Sequence, residues 1–278
     1  MEKLKVSFCD KKFISEYFKY VGILFFLIEV LNWLRLEKLI PKIILENDIF
    51  IKISILVIMF TVLFIYVNLK KKEIFEINNV KILIKEGNIF NEKDLKVIAF
   101  NEYFDTLVDN NVIAESTLNG KFILEYVTNV RDLDRGIEED PYLNKNNNNI
   151  NTGRITGKKK KYTLGSIYKY NEEFLLTALT RFNDKNEAFL ELKEYYLFLI
   201  KFWEEISRVY AGKPVSIPLL GSGITRFKGF EASSQDLLRM MLLTLKISRI
   251  RYASDITIVL SKEKIEEINL YHIKDLVN

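Results

Sequence analysis

The residues best suited to chemistry lie in Pro218-Leu219-Leu220-Gly221-Ser222-Gly223-Ile224, a glycine-rich stretch that leaves a short apolar run. Glycine admits positive φ and lets a ligand approach the backbone. Successive free N–H groups in such a turn form an anion-binding nest. In α/β sheets, ligands sit outside the carboxyl ends of the strands. The loop is therefore a diphosphate candidate, with a tight turn as the plain alternative. Three further segments follow strand-like runs: Gly87-Asn88-Ile89-Phe90, then Asn101 with Phe104-Asp105 just beyond it, then Ser116-Thr117-Leu118-Asn119-Gly120. Each alone fits a structural role, Asn101 as a turn residue and Phe104 as a core ring. Together they outline one shared cleft.

Composition narrows the chemistry. The 278 residues hold one cysteine, Cys9, and one histidine, His272. An internal disulfide, a cysteine-based zinc cluster and a multi-histidine metal site are all excluded. His272, close to the end of the sequence, is a poor base for a nucleophile triad. The net charge of +4 is uneven: residues 1–72 carry +5, and the rest carries −1. The basic character belongs to the N-terminal part, so the larger domain offers no case for nucleic acid.

The elements that position these residues follow from pattern. Runs 80–84 and 95–100 are rich in β-branched residues and read as strands. Residues 102–109 and 121–130 read as helices. Residues 143–161 are rich in Asn and Lys and read as an exposed loop; its lysine run at 158–161 reads as solvated rather than phosphate-binding. Residues 162–168 and 174–179 read as a hairpin. Ala188, Leu192, Tyr195, Leu199, Phe202, Ile206 and Val209 recur at steps of three or four and predict a helix over 188–210. A strand over 215–220, a helix over 233–250 capped by Ser233 or Ser234, and a strand over 255–260 complete an α/β pattern with a mixed or parallel sheet.

Before residue 72 the pattern differs. Residues 49–69 are long and apolar enough for a helix that crosses a bilayer, and they end at Lys70-Lys71-Lys72. Residues 17–36 predict a first membrane helix, although Glu29 and Asn32 lie inside it. The lysines that flank the pair place both termini in the cytoplasm, with an external turn near Pro41. Glu29, Asn32 and Trp33 share a helix face. That face pairs either with the second helix, where Lys52 lies, or with another protomer.

The order GNIF (87–90), VIAFNEYFD (97–105), ESTLNG (115–120) and PLLGSGITRF (218–227) resembles a macro domain, the α/β module that binds ADP-ribose. The layout is most similar to the transmembrane-macro effectors of bacterial Thoeris antiphage defence, and the resemblance covers nearly the whole chain. It implies a two-helix transmembrane hairpin (1–72) followed by a macro-like α/β/α domain with a mixed sheet (73–278). Asn88 stands where many macro domains place an acid that reads the adenine amine, and an Asn carbonyl can accept the same bond. The Ile89 backbone lies beside it, and Asn101 lies near the distal ribose. Ser116 to Gly120 and Gly221 to Ile224 (Gly221, Ser222, Gly223, Ile224) bracket the diphosphate. Thr225, Arg226 and Phe227 flank the distal end of the ligand, with Arg226 offering a charge-assisted bond.

The resemblance also implies a role. A TIR-domain enzyme converts NAD into an ADP-ribose-derived signal, and the effector senses it without being an enzyme or needing a cofactor or metal. Binding then disrupts the inner membrane or arrests growth, in a homo-oligomer. The first alternative is a membrane-bound ADP-ribosyl hydrolase, in which Asn101 or Asp105 orients or activates water. The second is a passive membrane-tethering module.

Overall fold

The computed structural model describes residues 4–34, 49–145, 149–183 and 185–276. The expected turn near Pro41 and residues 35–36 of the first helix lie outside the described residues. The chain divides into two compact units, Met1–Lys71 with Asn269–Tyr271, and Lys72–Ile268 with His272–Asn278.

In the first unit, α1 (Lys11–Trp33) starts six residues before the expected position. Asp10 accounts for this: its side chain caps the helix by accepting from the Phe13 N–H. The second helix, α2 (Ile49–Asn68), has a mean hydropathy of 2.6. Among the described residues it is the one helix long and apolar enough to cross a membrane. Phe13, Phe60 and Phe64 interlock edge-to-face between the helices, and the Tyr17 hydroxyl donates to the Leu56 carbonyl at 3.2 Å. Asn68 closes the pair by accepting from the backbone N–H groups of Lys5 and Val6.

The second unit is built on a nine-stranded mixed sheet. Its parallel centre runs β2 (Val80–Glu86), β9 (Ile256–Leu260), β7 (Val215–Pro218), β3 (Leu95–Asn101), β5 (Phe174–Phe182). β1 (Lys72–Ile77) adds antiparallel to β2 through Asn78-Asn79, both in the left-handed region, as a tight hairpin turn requires. On the far side, β4 (Ile167–Tyr170) and β6 (Ala188–Glu191) run antiparallel to β5, and β8 (Arg226–Lys228) runs parallel to β6.

Helices α3 (Leu118–Tyr126) and α4 (Val130–Glu139) bury Phe122, Ile123, Leu133 and Ile137 against Ile98, Phe100, Leu176 and Ala178 of the sheet. Helix α5 (Leu192–Val209) packs on β4, β5, β6 and on α6 (Ser234–Ser248); a bond from the Trp203 Nε1–H to Thr244 Oγ1 at 3.0 Å joins the two helices. The short α7 (Lys262–Glu267) lies against β2 and β9. The expected α/β architecture with a mixed sheet is what forms.

Four local expectations are corrected. Residues 102–109 are not helical. The Asn101 side chain accepts from the Tyr103 and Asp105 N–H groups, and Phe104 takes φ +49°, so the backbone is satisfied locally in a turn. The helix expected over 188–210 begins at Leu192, because residues 188–191 pair as β6 and Glu191 with Glu194 forms a capping box. The first strand of the 162–179 hairpin starts only at Ile167. The segment read as a solvated loop is pinned: Arg154 is buried, Lys158 pairs with Asp134, and Lys161 pairs with the buried Glu102.

Candidate functional site

The carboxyl ends of β2, β9, β7, β3 and β5 meet along one edge, and the loops that leave them enclose two hollows. The larger, about 350 Å³, is walled by the ends of β3, β5 and β7, by residues 116–119, and by residues 219–225. The smaller, about 340 Å³, is walled by residues 87–90, by Lys121, and by the start of α7. Ser116, Leu118 and Pro218 line both, so the hollows adjoin. Each has the size of a small-molecule subsite.

Among the described residues, no Asp, Glu, Lys, Arg or His lines the larger hollow. Its polar groups are Asn101, Ser116, Thr117, Asn119, Thr180, Ser222, Thr225 and backbone amides. Thr117 is the N-cap of α3 and accepts from the Gly120 N–H at 3.2 Å, so the positive end of the helix macrodipole faces this wall. Opposite it, Gly221 has φ +84°, a conformation that side chains rarely adopt. The Leu220 carbonyl accepts from the buried Tyr195 hydroxyl at 2.7 Å, and Ser222 Oγ donates to the Leu219 carbonyl. A Cβ added at Gly223 would meet nothing within 4 Å. The arrangement suits an anion held by neutral donors, as at many phosphate sites.

The structure sorts the residues singled out by the sequence. Asn101, Ser116, Gly221, Ser222, Gly223, Ile224 and Thr225 line the larger hollow; Asn88, Ile89 and Ser116 line the smaller. Asn88 Oδ1 already accepts from the Phe90 N–H at 3.1 Å, which leaves one lone pair for a ligand. Five residues depart from expectation. Phe104 is fully buried against Phe100 and Tyr162, so it is a core ring. Gly120 is a packing glycine, since an added Cβ would lie 2.3 Å from the Ala114 carbonyl oxygen. Arg226 is largely exposed and pairs with Glu187 at 2.8 Å. Phe227 packs edge-to-face on Tyr195 and supports Gly221 from behind. Asp105 is buried and bound by Arg154, with its carboxylate oxygens 2.7 Å and 3.1 Å from the guanidinium.

Several wall residues were not anticipated. Thr180 and Phe182 face the larger hollow, whereas Arg181 between them turns to Glu102 and Glu194. This is the period-two alternation of a strand, and extending the 174–179 run by three residues would have found it. Lys121, Lys262 and Glu263 line the smaller hollow. Lys262 and Glu263 follow the end of β9, the same signal that marked the other loops.

Comparison with known proteins places these features in context. The family model described as the macro domain of Thoeris protein ThsA matches residues 82–261. A Thoeris protein ThsA of Bacillus amyloliquefaciens (strain Y2) is 40% identical over 205 residues, 72% of this chain and 68% of that protein. Among solved structures, the Oceanobacillus iheyensis macrodomain with ADP superposes with a TM-score of 0.45 at 11% identity, over 74% of this chain and 94% of that one. A mutant of the same macrodomain gives a TM-score of 0.47 at 12% identity, over 74% and 93%.

Proposed function

This chain belongs to the family of Thoeris ThsA macro domains, and on that premise we propose that it senses an ADP-ribose derivative and passes the signal to a membrane. One observation carries the reading: a hollow between a glycine loop and a helix N-terminus, lined by no charged side chain among the described residues and adjoining a second hollow walled by Asn88 and Ile89. The first takes the diphosphate and distal ribose, and the second takes the adenine. The signal is made by a TIR-domain enzyme that consumes NAD, and the outcome is antiphage defence.

The chain acts here as a sensor and not as an enzyme. The hydrolase alternative needs a free acid or base at the distal ribose. Among the described residues no acidic, basic or histidine side chain lines that hollow, and Asp105 has both oxygens engaged. Calorimetric titration of the full-length protein in detergent with ADP-ribose, its cyclic forms and NAD tests the reading. We expect saturable binding of at least one derivative with no release of product. Absence of heat with every one of them sinks the sensor.

In this proposal α2 sits in the inner membrane. Its 20 residues are about 30 Å long, which matches a hydrocarbon core. Helix α1 is more polar and serves the output. The polar face of Glu29, Asn32 and Trp33 would lie at a seam between protomers of a homo-oligomer, because polar groups in lipid prefer a protein partner. Both termini lie in the cytoplasm by the lysine bias. To drive a switch from mostly resting to mostly active, the ligand must favour the active state by about 5 kcal/mol. Membranes washed at alkaline pH should retain the protein, and Val57→Arg combined with Val62→Arg should release it.

A further inference from the structure

We propose that Arg154 is a positioning residue for the ligand: acting through Asp105, it fixes the Asn101 amide as a hydrogen-bond donor to the cavity. The inference rests on the binding site proposed above. Asn101 lines that cavity at the end of β3. Its Oδ1 is saturated, because it accepts from the Tyr103 N–H at 3.0 Å and the Asp105 N–H at 3.3 Å. Its Nδ2 donates one hydrogen to Asp105 Oδ2 at 2.9 Å. Among the described residues the second amide hydrogen has no partner, so it is left for the cavity.

An amide side chain has two orientations of nearly equal shape; here two backbone N–H groups select its Oδ1 end and a charged neighbour selects its Nδ2 end. Asp105 is that neighbour, and it is fully buried. A buried carboxylate stays charged when it is paired and hydrogen-bonded. Arg154 supplies the pairing as a two-pronged fork, Nη1 to Oδ1 at 3.1 Å and Nη2 to Oδ2 at 2.7 Å. The Lys158 N–H adds a third bond to Oδ1 at 2.7 Å. With both Asp105 oxygens accepting, the carboxylate and the two backbone N–H groups enforce the same orientation of Asn101, with Nδ2 toward Asp105.

Arg154 is itself held in place. Its guanidinium donates to the Lys158 carbonyl at 2.6 Å and to Asn186 Oδ1 at 2.8 Å, and it lies 3.9 Å from the centroid of the Tyr103 ring. Gly157, at φ +85°, admits the contact: an added Cβ would lie 2.7 Å from Asp105 Oδ1. A segment some 50 residues along the chain thus sets the polarity of one cavity group. The ligand atom that meets Asn101 is consequently an acceptor oxygen, and a donor-only group there is rejected.

The test is a double-mutant cycle on the full-length protein in detergent, with ADP-ribose as the probe. Arg154→Lys keeps the charge but loses the fork. We expect Arg154→Lys and Asn101→Ala each to weaken binding about tenfold, and the double variant to bind no more weakly than Asn101→Ala alone. Additive losses would mean that Arg154 acts on the fold and not through Asn101, and the proposal falls. A ligand-free arm uses nitrogen-15 labelled asparagine. The Asn101 side-chain amide should show two well-separated proton resonances in the wild type that converge in Arg154→Lys and in Asp105→Asn. Resonances unchanged in both variants overturn the proposal. Wild-type protein that binds no ADP-ribose derivative overturns the sensor reading instead, and the amide spectra still decide the role of Arg154. If Arg154→Lys does not fold, Asp105→Asn takes its place in the cycle.

Discussion

Two glycines near the cavity carry different duties, and each dictates its own substitution outcome. Gly223 is exposed and faces open space, with nothing to obstruct a side chain. Gly223→Val should therefore leave thermal stability within a degree or two of wild type while lowering ADP-ribose affinity more than tenfold, because the new methyl groups occupy the ligand's path. Calorimetry beside a thermal scan separates the two effects, and undiminished binding would show that the loop is only a turn. Gly120→Ala should behave in the opposite way. Its Cβ collides with the Ala114 carbonyl oxygen, so a denaturant titration should report a loss of about 1–3 kcal/mol. Sequence marked both glycines identically, as small residues in loops after strands. Which one faces solvent and which faces backbone depends on the fold of the neighbouring chain.

At the scale of elements, the cavity is where a strand, a helix start and a loop converge. Thr117 caps α3 and its hydroxyl also donates to the Ala114 carbonyl, at 2.6 Å. Thr117→Ala should cost about 1 kcal/mol of stability in denaturant titration and also weaken ligand binding, since the frayed first turn no longer presents its N–H groups. Tyr195→Phe tests the opposite wall. The Leu220 carbonyl loses a buried bond worth about 1 kcal/mol, and the glycine loop loosens. Affinity should fall several-fold, with the loss in the dissociation rate measured by stopped flow. The parallel strands were legible because β-branched runs need no partner to be recognised. The 102–109 turn was not, because Asn101 competes for the same N–H groups that a helix would use. β8 was not legible either: three residues form a strand only because β6 lies beside them.

At the scale of the whole molecule, buried hydroxyls predict how stability responds to alkali. Burial pushes the hydroxyls of Tyr195 and Tyr252 well above their usual value of 10.0, and pushes Tyr162 up to about 12, aided there by nearby Glu138 and Asp140. The unfolded chain releases these protons near pH 10, whereas the folded chain keeps them. Above that value the unfolded state binds fewer protons, so stability is intact below pH 10 and is lost as pH rises from there. Each fully buried tyrosine should remove up to about 1.4 kcal/mol per pH unit in that window. Denaturant midpoints measured from about pH 9 to 11 should fall, and the slope should be shallower in Tyr195→Phe; a flat midpoint would contradict the burial. The sequence by itself determined the α/β class, the apolar N-terminal helix and the glycine-containing loops that leave β2 and β7, because hydropathy period, glycine and chain order are local properties. Only the tertiary structure decided which loop residues share a wall, that Arg226 points to Glu187 rather than to the cavity, and that Asp105 is claimed by Arg154. Those outcomes depend on which charge a residue meets across the fold, and a charge meets its partner only after distant segments have been brought together.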